Sequence, residues 1–497
     1  MLKRTVLMSY VGQVYVALIA LAAMPLYLRY LGAEAFGLVG FYVMLQAWSQ
    51  LLDMGLTPAL SRELSRYRAG ALTVADAWTL ARTLEWLFGV VAVLFSMLVF
   101  FARDWVALGW LNPDRLPPDE VALSIAIMGL MVGMRWLVGL YRGGLIGLEE
   151  QVRVQAAAML IATLKALGVL LALSHIEASV RVFFLYQGAV AIAELLLFMA
   201  MFYKAMPRPG AGMRPRWGAL REVGHFAGGM AFLSGMWIVI MQVDKLVLSR
   251  TLSLADYGYF SLAVTVASGV MLLSAPLHQA VQPRFAVLAI QGQKIELMRL
   301  YRIVTQFTVT LMCALTGTMA LFAEPLLLAW TGDAEAAHRA GPILFWYALG
   351  NGIAGLLAVP FLLQYAYGKL RLHIIANAIF SLFWLPAVIY TASAYGAVGT
   401  GMAWLLGNLV FLLIWPMRVH ARFMPTLKWI WLGRDVGMVA LAVGFGLYVA
   451  RWIDLSAAGR MHVLLALAML TLALVAIGML AGDRSRRFVL SHLRGTR

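Results

Sequence analysis

Long apolar runs, separated by short polar turns, make up most of this chain. A run of about 20 apolar residues crosses the ~30 Å hydrocarbon core of a bilayer when it forms an α-helix. Runs of this kind lie at 6–28, 35–57, 83–102, 120–141, 154–173, 180–203, 224–248, 257–278, 303–322, 341–364, 373–390, 398–417, 436–450 and 461–481. The pattern predicts an all-α polytopic membrane protein with about 14 transmembrane helices. An even number of crossings would place both termini on the same side of the membrane.

One transition between apolar runs occurs twice. YLGAEAFGLVGFY at 30–42 and TLSLADYGYFSLA at 251–263 each contain a short polar turn with one acidic residue, then an aromatic residue, a glycine and a new apolar run. The later loops that hold Arg153 and Arg371 also match each other. The repetition predicts two pseudo-symmetric lobes of six helices each, followed by a C-terminal helix pair. Parallel repeats of this kind place a substrate path at their interface.

The repeat sets the predicted domain boundaries. We expect an N-terminal six-helix lobe at 1–203, a cytoplasmic linker at 204–223, a C-terminal six-helix lobe at 224–422, and helices 13 and 14 with a basic cytoplasmic tail at 423–497. The linker sequence, KAMPRPGAGMRPRWGALRE, is basic and contains prolines, as expected of a connection outside the membrane.

Composition agrees with a membrane protein and helps to orient it. The chain of 497 residues is 63% hydrophobic and 12% charged, about half the charged fraction of a typical soluble domain. Most of its 39 Lys and Arg residues fall on the side of the predicted termini. Because cytoplasmic loops carry the basic residues, we expect cytoplasmic termini and no nucleic-acid surface. Alternatively, Lys3, Arg4 and the following apolar run could form a cleavable signal peptide.

The chain lacks the sequence signatures of common enzymes and metal sites. It contains no GxxxxGK[ST] phosphate loop, no HExxH motif and no GxSxG nucleophile motif. Its single cysteine, Cys313, excludes an internal disulfide and a cysteine-based metal cluster. The longest loops between predicted spans, at 58–82 and 279–302, are too short for a soluble catalytic domain. We therefore expect a protein that is not an enzyme and that uses neither a cofactor nor a metal.

Ionisable residues inside the apolar runs are candidate functional groups. They are Asp53, Glu85, Arg135, Lys165, Glu194, Asp244 and Lys245. A charged side chain costs roughly 2.5–3.5 kcal/mol at the centre of a membrane helix, so each is expected to face protein or a water-filled cavity. The alternative, a side chain that extends from near the end of a span to the interface, is favoured for Glu85 and stays open for Asp244 and Lys245.

Spacing groups some polar residues on common helix faces. Gln46, Gln50 and Asp53 are spaced i, i+4 and i+7, which predicts one polar stripe along the second span. Arg135 and Arg142 also share a face, and a glycine between them leaves room for a bulky group. Stripes of this kind can contact a substrate or form hydrogen bonds between helices.

Several stretches resemble one family of transporters. PLYLRYLGAEAFGLVGFY followed by LLDMGLTPALSREL resembles the opening of Wzx-like flippases for O-antigen and exopolysaccharide, members of the multidrug/oligosaccharidyl-lipid/polysaccharide exporter (MOP) superfamily. The acid-x-Gly-Leu pattern at 53–56 resembles that family's signature at the end of its second helix. QVDKLVLSRTLSLADYGYFSLA resembles the passage from the seventh to the eighth helix, and YGAVGTGMAW at 395–404 the start of the twelfth. The resemblance extends over 1–422.

The resemblance implies a V-shaped transporter of two six-helix lobes that alternates between inward-open and outward-open states. Its central cavity would be lined largely by helices 1, 2, 7 and 8. Its cargo would be an oligosaccharide on a polyprenyl diphosphate, moved from the cytoplasmic to the periplasmic leaflet of the bacterial inner membrane. Partners would be this lipid-linked substrate and the inner-membrane lipids, and could include a polysaccharide polymerase and a chain-length regulator, with no nucleic acid.

The chemistry of such a cargo suggests which residues would hold it. A diphosphate inside the membrane needs cationic partners, for which the arginine fork is well suited, and a sugar needs amide and hydroxyl contacts. The substrate-binding candidates are Arg29, Gln46, Gln50, Arg135, Arg142, Lys165 and Lys245. The candidates for ion coupling or gating are Asp53, Glu194 and Asp244. Cavities in this family are cationic, whereas acids outnumber bases within the spans here. Either Arg29 and Arg142, at loop ends, line the cavity, or the acids bind a coupling ion.

Three alternative functions are compatible with the sequence. A multidrug/cation antiporter of the same superfamily would use Asp53, Glu194 or Asp244 to exchange protons or sodium ions for a cationic drug. A lipid II flippase has the same number of spans and differs in its substrate. A scaffold that transports nothing would organise a polysaccharide assembly complex through helices 13 and 14. The number of spans and the LLDMGL and YGAVGTG stretches favour the polysaccharide flippase over the antiporter.

Overall fold

The computed structural model describes residues 2–207, 216–455 and 458–487. Within these ranges the regular secondary structure is helical, and extended pairing is limited to an isolated bridge between Asn112 and Ser253. The all-α polytopic fold class predicted from the apolar runs is therefore confirmed.

The chain divides into two compact units, Met1–Gly258 and Tyr259–Arg497. The helix Gly218–Thr251 groups with the first unit, although the repeat assigns it to the C-terminal lobe. The predicted lobes rest on a repetition in the sequence, which compactness does not test, and they stay a prediction. Within the predicted linker and tail, 208–215 and 488–497 lie outside the described residues.

Helices α1 to α8 and the start of α9 form the first unit. They are α1 (Leu2–Ser49), α2 (Leu56–Arg68), α3 (Val74–Trp105), α4 (Pro118–Gly147), α5 (Gln151–Thr163), α6 (Val169–His175), α7 (Val180–Ala205), α8 (Gly218–Thr251) and α9 (Leu254–Ile290). α1 bends at Gly32, whose φ of 81° suits a residue without a Cβ atom. The bend falls at the polar turn predicted between the first two spans. α2, α3, α4 and α7 share an apolar core, in which Phe88 stacks on Trp136 with 4.2 Å between ring centroids.

The rest of α9 and helices α10 to α16 form the second unit. They are α10 (Lys294–Leu321), α11 (Ala323–Thr331), α12 (Ala334–Ala366), α13 (Arg371–Phe423), α14 (Lys428–Ile430), α15 (Met438–Ala450) and α16 (Arg460–Ala481). α13 bends at Gly396, where φ is 60°. This bend lies between the predicted spans 373–390 and 398–417, so one continuous helix accounts for both.

Ten helices formed by the described residues are long and apolar enough to cross a membrane. Two of them, Tyr10–Asp53 and Arg371–Phe423, each contain two predicted spans on either side of a bend. α8 and α9 coincide with the predicted seventh and eighth spans, 224–248 and 257–278. Each predicted span therefore corresponds to helical structure, apart from a break near the end of the second.

Two segments expected as loops are largely helical. α2 and the start of α3 occupy most of 58–82. α9 and α10 extend into 279–302 and leave a short turn at Gly292. α2 is amphipathic, with Arg66 exposed on one side and Leu64 buried on the other. A search for long apolar runs misses helices of this kind because half of each helix surface is polar.

α1 and α9 cross at the transition that occurs twice in the sequence. A Cβ atom on Gly37 would overlap the backbone carbonyl oxygen of Leu254, and a Cβ atom on Gly258 would overlap that of Ala33. Positions 33 and 254 are equivalent in the repeat, and so are positions 37 and 258, so the contact is reciprocal. The glycine recurs because two backbones approach this closely only where no side chain separates them.

A buried polar network attaches the C-terminal helix pair to α10. Arg302 donates two hydrogen bonds of 2.8 Å to the carboxylate of Asp435, which lies in the π-helical segment that precedes α15. Gln306 donates to Asp435 at 2.7 Å and to Asp483, just after α16, at 2.8 Å. Arg302 also lies 3.5 Å from Asp483. Each buried charge in this group therefore has an oppositely charged partner, which offsets the cost of its desolvation.

Candidate functional site

The second predicted span is interrupted just after its polar stripe. α1 ends, one 3₁₀ turn covers Gln50–Asp53, and the next two residues, Met54 and Gly55, have φ values of 46° and 71°. Left-handed residues end a helix because their backbone cannot continue its hydrogen-bond pattern. The Asp53 carboxylate accepts a hydrogen bond from Thr57 Oγ1 in the first turn of α2. The predicted stripe therefore lies on helical backbone, and the break follows its last residue.

A cavity of about 320 Å³ lies beside this break, within the first unit. Residues of α1, α2, α4 and α8 and of the break itself line it. Its polar lining includes Gln46, Ser49, Gln50, Asp53, Arg135 and Ser234. The three residues of the predicted stripe thus face one space.

Arg135 supplies a positive charge to the cavity wall. Its Nη1 donates a hydrogen bond to the side-chain oxygen of Gln46, and its Nε lies 3.6 Å from Oε2 of Glu194. The side chain retains 25% exposure, although α4 is flanked by other helices over most of its length. The guanidinium is therefore oriented from one side by an amide and from the other by a carboxylate, and it still reaches the cavity.

Glu194 connects Arg135 to a second cation. Lys165 lies in a π-helical turn, Leu164–Gly168, between α5 and α6, and its Nζ contacts the same Oε2 atom of Glu194. The Lys165 and Glu194 side chains are only 16% and 8% exposed. Turns of this kind interrupt regular helices, often at functional sites. The fold thus gathers three charges, predicted separately inside the membrane, into one buried group.

Gly139 and Arg142 continue the same face of α4. Gly139 lines the cavity, and no atom lies within 4 Å of a Cβ built on it. The space expected between the two arginines is therefore part of the cavity. Arg142 is not among the lining residues, and its guanidinium lies over the ring of Phe198, 5.7 Å from the centroid.

The other candidate residues lie outside the cavity lining. Arg29 is exposed on α1. On α8, Lys245 Nζ lies 3.4 Å from the Asp244 carboxylate and donates to the carbonyl of Met241. The substrate-binding roles expected for Arg29 and Lys245, and the coupling role expected for Asp244, stay predictions.

Glu85 lies among polar partners from three helices. It accepts hydrogen bonds from the hydroxyls of Tyr141 and Tyr203, and Arg82 pairs with it at 2.9 Å. Its side chain is 21% exposed. Tyrosines of α4 and α7 thus satisfy the carboxylate, and its position relative to the membrane interface stays a prediction.

Several cavity residues were not identified from the sequence. Ser234, Gly235 and Ile238 of α8 line the cavity, as does Trp136 beside Arg135. The resemblance implied a role for the seventh span, which is α8, but named none of its lining residues. The small residues of FAGGMAFLSGM indicate a close approach of helices in this part of α8, since small residues allow helices to approach closely. The sequence does not indicate that Trp136 lines a cavity, because an aromatic residue at this position of an apolar helix could equally belong to the core.

The arrangement can bind an anion next to neutral polar groups. Arg135 offers donors at the wall, and Lys165 and Arg142 add positive charge nearby that Glu194 offsets only in part. Attraction between charges is stronger inside the bundle than in water because the dielectric constant is lower. Gln46 and Gln50 can contact hydroxyl groups, and Asp53 adds an acidic group to the same wall.

The architecture is that of known transporters. A lipid II flippase, MurJ, in an inward closed conformation superposes with a TM-score of 0.74 at 12% identity, over 96% of this chain and 98% of that one. An inward-facing multidrug resistance MATE family transporter of the MOP superfamily gives 0.65 at 13%, over 83% and 98%. A MOP superfamily transporter from Pyrococcus furiosus gives 0.56 at 14%, over 85% and 96%. At these identities the likeness shows a shared fold.

Family membership follows from the sequence comparison. None of the curated proteins matches the chain. The family model described as polysaccharide biosynthesis protein, however, matches residues 2–289, more than half of the chain. This segment contains every residue that lines the cavity. The chain therefore belongs to the polysaccharide biosynthesis protein family and has the fold of MOP superfamily transporters.

Proposed function

We propose that this protein flips a polyprenyl-diphosphate-linked oligosaccharide, such as an O-antigen or exopolysaccharide unit, across the bacterial inner membrane. Transport would run from the cytoplasmic to the periplasmic leaflet by alternating access, with both termini in the cytoplasm. One observation carries the proposal: Arg135 reaches a polar cavity inside a bundle of apolar helices, in a chain of the polysaccharide biosynthesis family.

The cavity suits the charged and polar part of such a cargo. A phosphate group inside a membrane protein needs a positive partner, because its charge is otherwise too costly to desolvate. Arg135 would contact the diphosphate, with Arg142 and Lys165 adding positive charge, while Gln46 and Gln50 would contact sugar hydroxyls. A volume of about 320 Å³ is enough for a headgroup and its first sugar, with the prenyl chain left in the lipid.

The break in the second span is the proposed moving part of the site. Asp53 lines the cavity and is hydrogen-bonded to the first turn of α2. Loss of that hydrogen bond on protonation or ion binding would couple a gradient to the position of α2. Glu194 and Asp244 are the further candidates for coupling. Since the sequence has no nucleotide-binding loop, an ion gradient or the membrane potential would supply the energy.

The direct test measures the orientation of a lipid-linked oligosaccharide in vesicles that contain the purified protein. We expect Arg135→Ala to slow flipping at least about tenfold, because one charge-assisted contact to phosphate is lost. Arg486→Ala removes an exposed arginine that is not among the cavity-lining residues, and it serves as the control. Equal flipping by wild type and Arg135→Ala, or equal losses in both variants, would contradict the proposed site.

Two observations each favour an alternative function. Asp53 at the cavity and the MATE fold are compatible with a cation antiporter, for which uptake of a cationic dye by vesicles should depend on Asp53. The likeness to the lipid II flippase over 96% of the chain favours lipid II as the substrate. Offering lipid II, a lipid-linked oligosaccharide and a cationic dye to the same vesicles separates the three functions.

A further inference from the structure

Glu194 occupies an unusual position in the charged group. It is buried, with 6% of the residue exposed, and it is not among the residues that line the cavity. Its Oε2 atom serves two cations: the Lys165 ammonium in close contact and the Arg135 Nε at 3.6 Å. The second distance exceeds hydrogen-bond length, so Arg135 is held more loosely than Lys165.

The buried group carries an excess of positive charge. Arg135 and Lys165 contact Glu194 directly, and Arg142, two turns further along α4, is close enough to interact with it electrostatically. Three cations and one carboxylate leave positive charge uncompensated inside an apolar bundle, which is costly without an additional anion. The bundle therefore has capacity for an additional anion beside Arg135.

We propose that Glu194 is an internal anion that competes with the phosphate of the cargo for Arg135. In the empty cavity, the carboxylate holds Arg135. When a phosphate binds, the Arg135 guanidinium exchanges its ion pair with Glu194 for one with the phosphate. Lys165 remains paired with Glu194 and neutralises its charge. Glu194 thereby weakens phosphate binding and favours release, which a transporter needs as much as binding. This inference rests on the proposed function only in taking a phosphate-bearing headgroup as the cargo.

Competition with the anion and mere support of the cations predict opposite effects of removing the charge of Glu194. If Glu194 only positioned Arg135 and Lys165, removing its charge would disorder them and weaken anion binding. If Glu194 competes with the anion, removing its charge would strengthen binding, because the excess positive charge rises. Gln46 continues to orient Arg135 in either case, since it binds a different nitrogen of the guanidinium.

The test measures binding of inorganic pyrophosphate and of farnesyl diphosphate to the purified full-length protein by calorimetry at fixed pH and ionic strength. We expect Glu194→Gln to bind both probes about tenfold more tightly than wild type, and Arg135→Ala to bind neither. Glu63→Gln is the matched control. Glu63 is likewise a buried glutamate, paired with Arg66 at 2.8 Å, but it does not line the cavity.

The possible outcomes separate this inference from the proposed function. Unchanged or weaker binding by Glu194→Gln, with wild-type binding intact, overturns the competition. Absence of binding in wild type and Glu194→Gln alike overturns both this inference and the anionic cargo. Tighter binding of pyrophosphate but not of farnesyl diphosphate would overturn the role in lipid-borne cargo. If Glu194→Gln does not fold, Glu194→Asp replaces it. Aspartate draws the carboxylate back by one methylene, so affinity above that of wild type supports competition, and equal or lower affinity overturns it.

Discussion

At the scale of single residues, the cavity depends on how one arginine is kept charged and oriented inside apolar helices. Arg135 has an amide partner in Gln46 and a carboxylate partner in Glu194, so its desolvation is compensated from two directions. Gly139, one turn further along α4, leaves the adjoining space open. Charge and space are thus provided by two positions of the same helix face.

Gly139 offers a test of the cavity that leaves its charges intact. We predict that Gly139→Leu lowers flipping at least about tenfold, because the new side chain occupies a cavity of about 320 Å³ beside Arg135. The protein should still fold, since no atom lies within 4 Å of the new Cβ atom. The orientation assay in vesicles measures the loss.

Gly89→Leu is the control for this substitution. Gly89 lies in α3, has equally open space at its Cβ position and does not line the cavity. The two variants make the same change in helix propensity and differ in whether they fill the cavity. Similar flipping rates in both would contradict the assignment of the cavity.

The pKa of Asp483 predicts how the stability of the protein depends on pH. Burial raises the pKa of its carboxyl group, but the hydrogen bond from Gln306 and three nearby arginines outweigh burial and lower the pKa below its ordinary value. A lowered folded-state pKa gives stability that is present above the unfolded pKa, near ~4, and is lost as the pH falls through the folded value. We expect the melting temperature to fall as the pH is lowered below about 4. The fall should be smaller in Asp483→Asn than in wild type. Asp104→Asn, which changes an exposed aspartate, is the control. A drop in Asp483→Asn as large as that in wild type would contradict this role of Asp483.

At the scale of elements, the reciprocal crossing of α1 and α9 makes specific demands on two glycines. We predict that Gly37→Ala and Gly258→Ala each lower the free energy of unfolding by about 1–3 kcal/mol, because the added methyl group meets a backbone carbonyl oxygen that cannot rotate away. Thermal unfolding in detergent measures the effect.

Gly444→Ala is the comparison for the crossing glycines. Gly444 lies in α15, and no atom lies within 4 Å of its Cβ position. Alanine should therefore leave stability unchanged or raise it slightly, since alanine favours a helix over glycine. Equal destabilisation at all three positions would contradict the close approach of α1 and α9 as the cause.

At the scale of the whole molecule, the C-terminal helix pair is part of the second unit. Its attachment depends on Asp435, which is fully buried and bound to Arg302 by two hydrogen bonds of 2.8 Å. We predict that Asp435→Ala destabilises the protein by about 3–5 kcal/mol, because Arg302 is left buried with its main partner removed. The double variant Arg302→Met/Asp435→Leu should recover most of this loss, since no unpaired charge remains. Chemical unfolding followed by tryptophan fluorescence measures both, and no recovery in the double variant would contradict the argument.

The fold was more predictable from the sequence than the site. Apolar runs long enough to cross a bilayer must form helices in lipid, because no other local structure satisfies the backbone hydrogen bonds. The expected turns are where the glycine bends at Gly32 and Gly396 occur. The apolar pattern does not predict the amphipathic helix α2 or the break at Met54, since neither changes the spacing of long apolar runs.

The sequence by itself determined the helices, the repeat and which charges had to lie away from lipid. These follow from hydrophobicity and spacing, which are properties of short segments. Only the tertiary structure decided which charges meet: Glu194 joins Arg135 and Lys165, whereas Lys245 pairs with its neighbour Asp244. Spacing along one helix cannot specify such partners, because they come from different helices. Their proximity depends on where α4, α5 and α7 pack, and that packing depends on side chains distributed over the whole unit.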